Sequence, residues 1–349
     1  MYGSVNYYYF KEFVVNTKYQ AQAEATGSHS GTRTQIEFVT VHDTATLTGT
    51  GDAMASNMST STSVSIHYVV GNGEAFAVLP EKYVAWHAGD GTGVKFEWLA
   101  TGIKGTEELS VDNFDIVKVG DQYYFTINGQ KTNVVCPTTI GSKKIQNPSK
   151  AHFADLGPTW KLENGEYYIG TPWASFGQNI SGVICSKGGN NNSVGIEMCV
   201  NTSGDIYTSY QVNAQLVADI LIRNNLDLTR VKQHNTFDGK NCPQVMRAGN
   251  FWSEFMKMVA VNYELQKDYS DVKISMVSDN PDIVDNTGRV VNYPTVATTV
   301  GYTVTVTLGS TTKTIKLYSV VPGTTSWQKW DGRYPTAVIW NDGNFIVNK

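Results

Sequence analysis

The sequence has 349 residues, of which 41% are hydrophobic and 17% charged, and its formal net charge is -4. A chain of this length predicts about two domains, and the composition is typical of a soluble globular protein. We expect no nucleic-acid partner, because phosphate backbones are bound by clusters of Lys and Arg that this sequence lacks. We also expect no insertion into a membrane, because no run of about 18 apolar residues occurs.

Two features of the sequence bear on export from the cell. The apolar run Tyr7 to Val15 is interrupted by Lys11 and Glu12, and no small-residue cleavage site follows it, so we expect no signal peptide within this sequence. The cysteines are Cys136, Cys185, Cys199 and Cys242. They are too few and too scattered for a disulfide framework, although a bridge among the first three stays open.

Short strands that end in polar residues are predicted in the first part of the chain. Glu37 to Val41 is an apolar strand followed by His42-Asp43-Thr44, and Val64 to Val70 is a second strand. From about residue 92 to 191, short aromatic runs such as Gln122 to Ile127 predict hairpins. We interpret this stretch as an inserted β subdomain.

Helical spacing of apolar residues follows the insertion. After a buried strand at Val194 to Val200, Tyr210 to Asn224 has apolar residues three and four positions apart, which predicts a core helix. Pro243 to Gln266 repeats the pattern, with its proline in the first turn. Together these elements predict an α/β domain over residues 1–266, with a mixed central sheet flanked by helices and a β-rich insertion.

Beyond about residue 267 the helical periodicity stops. Val300 to Val306 and Thr314 to Val321 alternate in the manner of sandwich strands, so we predict a separate all-β module at 267–325. The last residues, 326–349, form an aromatic-rich segment, which is either a small hairpin unit or a surface that stacks on sugar. Its tryptophans are Trp327, Trp330 and Trp340.

The loop between the two predicted helices carries three reactive side chains, His234, Lys240 and Cys242. Imidazole and thiolate are good zinc ligands, and a catalytic zinc needs a third protein ligand, for which His42 at a strand end is the best candidate. The alternative is that His234 is a helix-end cation and Cys242 a small buried hydrophobe. Glu197 lies in an apolar run, where an unpartnered carboxylate is costly, which favours a functional role.

This loop and four earlier segments resemble, in the same order, the motifs of the type 2 N-acetylmuramoyl-L-alanine amidase family. The segments are Val41-His42-Asp43-Thr44-Ala45, Ser65-Ile66-His67-Tyr68, Ala85-Trp86-His87-Ala88-Gly89-Asp90, Gly195-Ile196-Glu197-Met198 and Gln233-His234-Asn235-Thr236-Phe237-Asp238-Gly239-Lys240-Asn241-Cys242-Pro243. The resemblance covers roughly Val15 to Gln266 apart from the insertion. The loop is most similar to members from Gram-positive bacteria and their phages.

The resemblance implies a zinc enzyme that hydrolyses the bond between N-acetylmuramic acid and L-alanine in bacterial peptidoglycan. It implies that His42, His234 and Cys242 hold the zinc and that Glu197 and Lys240 are the catalytic pair. Zinc would polarise the scissile carbonyl and lower the pKa of a bound water toward about 7. The carboxylate would then transfer the water's proton to the leaving amine, and the lysine would stabilise the oxyanion.

Substrate-binding residues are expected beside this centre, and the candidates are His67, His87, Trp86 and Tyr68. For the two histidines, a hydrogen-bonded core position is the alternative, and His87 is the better cleft residue because nearby glycines leave room. Some family members carry a catalytic Tyr where this chain has Ile66. We expect the side chain of Tyr68 on the same strand face as Ile66.

The biological role of the protein is inferred from the family resemblance and from the last predicted module. Residues 278–291 are similar to bacterial immunoglobulin-like domains, which serve as spacers or wall binders. We therefore expect a phage endolysin, made in the host cytoplasm, or a secreted cell-wall autolysin, with the insertion bordering the substrate groove. Two rivals stay open: a peptidoglycan-binding protein that has lost catalysis, and a zinc hydrolase of other small amides. The oligomeric state also stays open.

Overall fold

A computed structural model describes most of the chain. The described residues are 14–46, 48–89, 94–95, 97–107, 109, 113–140, 143–144, 146–149, 160–170, 180–181, 188–201, 206–238, 240, 242–248, 251–288, 290–292, 294–321, 337–341 and 344–348. Cys185, Trp327 and Trp330 lie outside these ranges. Cys136 and Cys199 are buried and free of disulfide bonds. No described helix is both long and apolar enough to cross a membrane.

Many short strands and a smaller set of helices make up the fold. The helices are α1 (Gln20–Thr26), α2 (Gly51–Thr60), α3 (Gly188–Asn192), α4 (Ile206–Arg223), α5 (Asn235–Asp238), α6 (Gln244–Ala248) and α7 (Trp252–Asp268), with a 3-10 turn at Leu228–Arg230. The strands are β1 (Val15–Asn16), β2 (His29–Thr32), β3 (Phe38–Asp43), β4 (Tyr68–Gly71), β5 (Glu74–Ala77), β6 (Tyr83–Ala85), β7 (Val94–Lys95), β8 (Trp98–Lys104), β9 (Phe114–Val119), β10 (Gln122–Ile127), β11 (Gln130–Val135), β12 (Thr139–Ile140), β13 (Lys143–Lys144), β14 (Trp160–Glu163), β15 (Glu166–Gly170), β16 (Ile180–Ser181), β17 (Ser193–Met198), β18 (Val231–Gln233), β19 (Lys273–Ser278), β20 (Thr298–Leu308), β21 (Thr311–Val321), β22 (Ala337–Asn341) and β23 (Asn344–Asn348).

A six-stranded mixed sheet with the order β1-β5-β4-β17-β3-β18 forms the centre of the fold. Strands β4, β17, β3 and β18 run parallel, and β5 is antiparallel to β4. Val41, Ile196 and other apolar side chains of one face share the main hydrophobic core with residues of α4 and α7. The prediction of an α/β fold with a mixed central sheet and flanking helices is confirmed.

The opposite face of this sheet carries the polar residues of interest. On it, α1 and α2 pack against the β4 and β5 side through a second hydrophobic cluster. His42 and Glu197 lie on this face, because side chains alternate along a strand and their neighbours Val41 and Ile196 point into the main core. The sheet therefore separates an apolar core from a polar site.

The helix predicted for Pro243 to Gln266 is divided in the structure. It consists of α6 and α7, whereas the helix predicted for Tyr210 to Asn224 corresponds to α4. Helix α6 ends at Ala248 and α7 begins at Trp252, and the sequence between these helices includes two poor helix formers, Gly249 and Asn250. Apolar periodicity alone did not reveal this break, because it continues on both sides of the two residues.

Two three-stranded antiparallel sheets, β11-β10-β9 and β14-β15-β8, form much of the described part of residues 92–191. Their inward side chains make a hydrophobic cluster of their own, which includes Ile103, Phe125, Val134 and Ile169. Within the described ranges this cluster is distinct from the core around the central sheet. The insertion is therefore stabilised mainly by its own packing.

Residues after α7 form a three-stranded antiparallel sheet, β19-β20-β21. Its buried side chains, among them Tyr302 and Val304, belong to the same hydrophobic cluster as α4 and α7. A sandwich needs a second facing sheet, and the described residues 273–321 form one sheet, so the immunoglobulin-like module stays a prediction. Further along, β22 pairs with β23 and contacts α6.

Candidate metal centre

Three parallel strands bring the candidate ligands to one edge of the central sheet. His42 pairs in register with Glu197 across β3 and β17. His234 follows β18 directly, and its backbone N–H donates to the carbonyl of Val41 at 3.3 Å. Cys242 is supplied by the loop before α6. Because parallel strands end at the same edge, residues far apart in sequence meet there.

The side chains of His42, His234 and Cys242 form a compact group of metal-binding donors. Their nitrogen and sulfur atoms all lie within 4.8 Å of one another, and all three residues are buried. The Sγ of Cys242 is 3.7 Å from the Nδ1 of His42. Two ligands of a tetrahedral zinc, at about 2.3 Å for sulfur and about 2.0 Å for nitrogen, lie about 3.5 Å apart. The donor set and its spacing therefore fit zinc.

Burial shifts the pKa of two of these residues, His42 and Cys242. Burial, helped by His234, His87 and Lys240, lowers the pKa of His42 well below its usual range, so the imidazole is neutral and able to coordinate. Burial raises the pKa of the Cys242 thiol well above its usual range, because a thiolate there loses its hydration. A divalent cation would offset this cost, since metals bind cysteine as the thiolate.

Asp43 fixes the loop that carries Cys242, a role that sequence analysis missed. Its Oδ2 accepts a hydrogen bond from the backbone N–H of Val245 at 2.7 Å, at the start of α6. Burial raises the pKa of Asp43 to about 6, although backbone hydrogen bonds from Val245 and Gln244 act to lower it. The backbone N–H of Asn235 donates to the carbonyl of Cys242 at 2.9 Å and closes the loop. The sequence signal that could have revealed this role is the position of Asp43, an acidic residue directly after the candidate ligand His42 at the end of an apolar strand.

Glu197 is the carboxylate beside the candidate ligands. It is half-buried, and its Oε2 is shielded from solvent with no hydrogen-bond partner among the described residues. Burial raises its pKa to about 7, while the positive charge of Lys240 acts to lower it. A carboxyl group with a pKa in this range can accept and release a proton near neutral pH.

Lys240 lies in the loop between His234 and Cys242, with an exposed side chain. Its carbonyl accepts a hydrogen bond from the N–H of Cys242 at 2.7 Å, which holds the lysine next to the candidate ligand. Its positive charge acts on the pKa of His42 and of Glu197. The structure thus brings the expected cation and the expected carboxylate to the same centre.

Of the expected substrate residues, His87 and Trp86 are only partly buried. The Nδ1 of His87 is 2.9 Å from the Nε2 of His42. Trp86 is half-exposed, and its indole N–H donates to the hydroxyl of Ser30. The structure therefore brings the ring of His87 into direct contact with a candidate ligand and leaves part of Trp86 accessible.

His67 is a buried core residue in the structure. Its Nδ1 accepts a hydrogen bond from the backbone N–H of Gly195 at 2.9 Å, and its Nε2 is 3.1 Å from the carbonyl oxygen of Tyr83. The guanidinium of Arg33 donates to the same carbonyl at 2.7 Å and also contacts the Nε2 of His67. With no exposed surface, His67 cannot touch a substrate in this conformation. His67 is therefore a hydrogen-bonded core histidine, which was the alternative interpretation, and the prediction that it contacts the substrate is wrong.

Tyr68 lies on the far face of the sheet from His42. Its ring packs against the main core, and its hydroxyl donates to the Oε1 of Glu81 at 2.7 Å. Ile66 belongs instead to the cluster under α1 and α2. The expectation that these two side chains share a face was wrong, because regular strand alternation begins only at Tyr68, where β4 starts. Tyr68 is therefore not brought to the centre.

Comparisons with known proteins relate this chain to N-acetylmuramoyl-L-alanine amidases. The sequence model of the family described as N-acetylmuramoyl-L-alanine amidase matches residues 32–245. The N-acetylmuramoyl-L-alanine amidase CwlH of Bacillus subtilis (strain 168) is 36% identical over 73 residues, which are 21% of this chain and 28% of that protein. The match thus spans less than a third of that relative's length.

Solved structures of low sequence identity are also similar to this chain. The solution structure of the PlyG catalytic domain has 16% identity and a TM-score of 0.40, over 72% of this chain and 95% of that one. The Staphylococcus aureus hydrolase AmiA in complex with its ligand has 11% identity and a TM-score of 0.40, over 77% and 94%. The structure of PlyL has 17% identity and a TM-score of 0.38, over 70% and 94%.

Proposed function

The chain belongs to the N-acetylmuramoyl-L-alanine amidase family, and from this premise we propose that it is a zinc-dependent amidase of bacterial peptidoglycan. The scissile bond joins N-acetylmuramic acid to L-alanine. One observation carries the proposal: His42, His234 and Cys242 hold their donor atoms within 4.8 Å of one another. Glu197 stands in register beside His42 on the next strand.

The zinc would be held by His42, His234 and Cys242. When bound, it supplies Lewis acidity, which polarises a carbonyl group and acidifies water. Glu197 accepts the proton of the attacking water and returns it to the leaving nitrogen of L-alanine. The ammonium group of Lys240 stabilises the negative charge that develops on the carbonyl oxygen. The half-exposed Trp86 offers a flat surface for the substrate.

Other parts of the chain would serve the same substrate. The insertion at 92–191 returns to the central sheet through α3, next to His87, which supports a position beside the substrate groove. The module at 267–325, proposed to be immunoglobulin-like, and the segment at 326–349 would hold the enzyme at the wall. Attachment of this kind raises the local concentration of substrate. An endolysin or an autolysin would use this arrangement.

Digestion of purified peptidoglycan by the wild type and by Glu197→Gln tests this proposal. New L-alanine amino termini should appear without new reducing ends. The Gln variant keeps the shape of the side chain but not its basicity, so the rate should fall about 10²–10⁴-fold while bound zinc is retained. Glu81→Gln, on the far face of the sheet beside Tyr68, is the matched control and should keep the wild-type rate.

Two results would contradict the proposal. Tight wall binding with no new termini and no bound zinc would favour a peptidoglycan-binding protein that lacks catalysis. Cleavage of small soluble amides with intact walls would favour a zinc hydrolase of another substrate class.

A further inference from the structure

His87 forms a contact that substrate binding does not explain. Its Nδ1 lies 2.9 Å from the Nε2 of His42, and the two rings meet edge to face with their centroids 5.0 Å apart. The other nitrogen of His42, Nδ1, faces the Sγ of Cys242 at 3.7 Å. The ring of His42 thus has one nitrogen toward the donor cluster and one toward His87.

Hydrogen bonds with α3, at the C-terminal end of the insertion, fix the backbone around His87. In α3, the Oδ1 of the buried Asn190 accepts hydrogen bonds from the N–H of His87 at 2.7 Å and of Ala88 at 2.6 Å. The N–H of Gly189 donates to the carbonyl of Ala88 at 2.8 Å, and the N–H of Asn190 donates to that of Gly89 at 2.9 Å. These four hydrogen bonds clamp residues 87–89 to α3.

The central sheet provides space for the ring of His87. A Cβ atom added to Gly195 of β17 would lie 2.7 Å from the Nδ1 and 2.8 Å from the Cε1 of His87. Such distances are shorter than carbon and nitrogen atoms tolerate, so the glycine is what lets the ring approach the strand. The ring is therefore located by β17 on one side and by His42 on the other.

We infer that His87 is a positioning residue, which accepts a hydrogen bond from His42 and so orients that ligand, and that Asn190 holds it in place. If the Nδ1 of His42 binds zinc, the proton of that ring lies on Nε2, and the Nδ1 of His87 is its acceptor. A hydrogen bond of this kind fixes the tautomer and orientation of a ligating histidine. The inference rests on the proposed zinc site and couples the insertion to it through α3.

The zinc dissociation constant, measured by competition with a chromophoric chelator, tests the inference without relying on catalysis. His87→Ala should weaken zinc binding about 10–100-fold. His87→Asn places an amide oxygen near the position of Nδ1 and should recover most of the affinity. His87→Gln places its amide near Nε2 and should behave as the Ala variant does. Asn190→Ala should weaken binding in the same direction, because the backbone of His87 is released.

The absorption spectrum of the cobalt-substituted protein gives a second readout. The cysteine-to-cobalt band should shift in His87→Ala and return toward the wild-type position in His87→Asn. Glu197→Gln is the control and should bind zinc as the wild type does. If the Ala variant does not fold, the comparison of Asn with Gln decides the question.

Wild-type zinc affinity in both His87→Ala and His87→Gln would overturn the inference. So would restoration by Gln rather than Asn, since that pattern, with an effect on KM, indicates a substrate contact through Nε2. If zinc affinity depends on His87 but peptidoglycan is not cleaved, the proposed function fails and the positioning role stands. If peptidoglycan is cleaved but zinc affinity is unchanged in the His87 variants, the proposed function stands and the positioning role fails.

Discussion

At the scale of single residues, two buried cysteines illustrate what makes a metal ligand. Burial raises the pKa of the thiols of Cys199 and Cys242, so neither is a thiolate without a partner cation. Cys199 packs in the apolar cluster under α1 and α2. Cys242 lies among donors, with His42 and His234 within reach. Neighbouring imidazoles, and not burial, distinguish the proposed ligand.

Replacement of these cysteines should separate the two environments. Cys242→Ala removes one of the three proposed zinc donors, so the purified variant should lose nearly all tightly bound zinc. Cys199→Ala removes only a small apolar contact and should keep the wild-type zinc content. Elemental analysis after dialysis measures both variants. Equal zinc content in the two would contradict the assignment of Cys242.

At the scale of structural elements, the sequence predicted which segments form strands and helices better than it predicted side-chain directions. Apolar runs located β3, β17 and α4, and the motifs located His42, His234 and Cys242. The position of Tyr68 was missed, because the residues before β4 do not follow strand alternation. The hydrogen bonds by which Asn190 holds the backbone of His87 were missed as well, because they join residues about a hundred positions apart. Pairings of this kind depend on the assembled fold.

The insertion and the central sheet should lose stability separately, since each has its own hydrophobic cluster. Phe125→Ala removes a buried ring from the insertion at a cost of about 3–5 kcal/mol. Hydrogen exchange should therefore accelerate in β9–β11 and stay slow in β3 and β17. Phe255→Ala, in α7 of the main core, is the matched control and should show the reverse pattern. Equal acceleration in both regions would indicate one cooperative unit.

At the scale of the whole molecule, α7 connects the amidase sheet to the C-terminal sheet. Residues of α4, α7 and β19–β21 share one hydrophobic cluster, so the C-terminal sheet packs directly on the helices that cover the central sheet. The loss of helical periodicity in the sequence predicted a change of architecture near residue 267, but not this packing. Exposed and buried apolar side chains look alike in sequence, and only the folded chain shows which surface they cover. If the C-terminal sheet attaches the protein to the wall, as proposed, it does so while packed directly against α4 and α7.

The most direct test of the account is the zinc dependence of wall cleavage. The protein is stripped with a chelator and then titrated with zinc on purified peptidoglycan, while new L-alanine amino termini are counted. The account predicts no cleavage in the stripped protein and a linear return of activity that ends at one equivalent of zinc per chain. Cleavage that survives the chelator, or new reducing ends in place of amino termini, would contradict it.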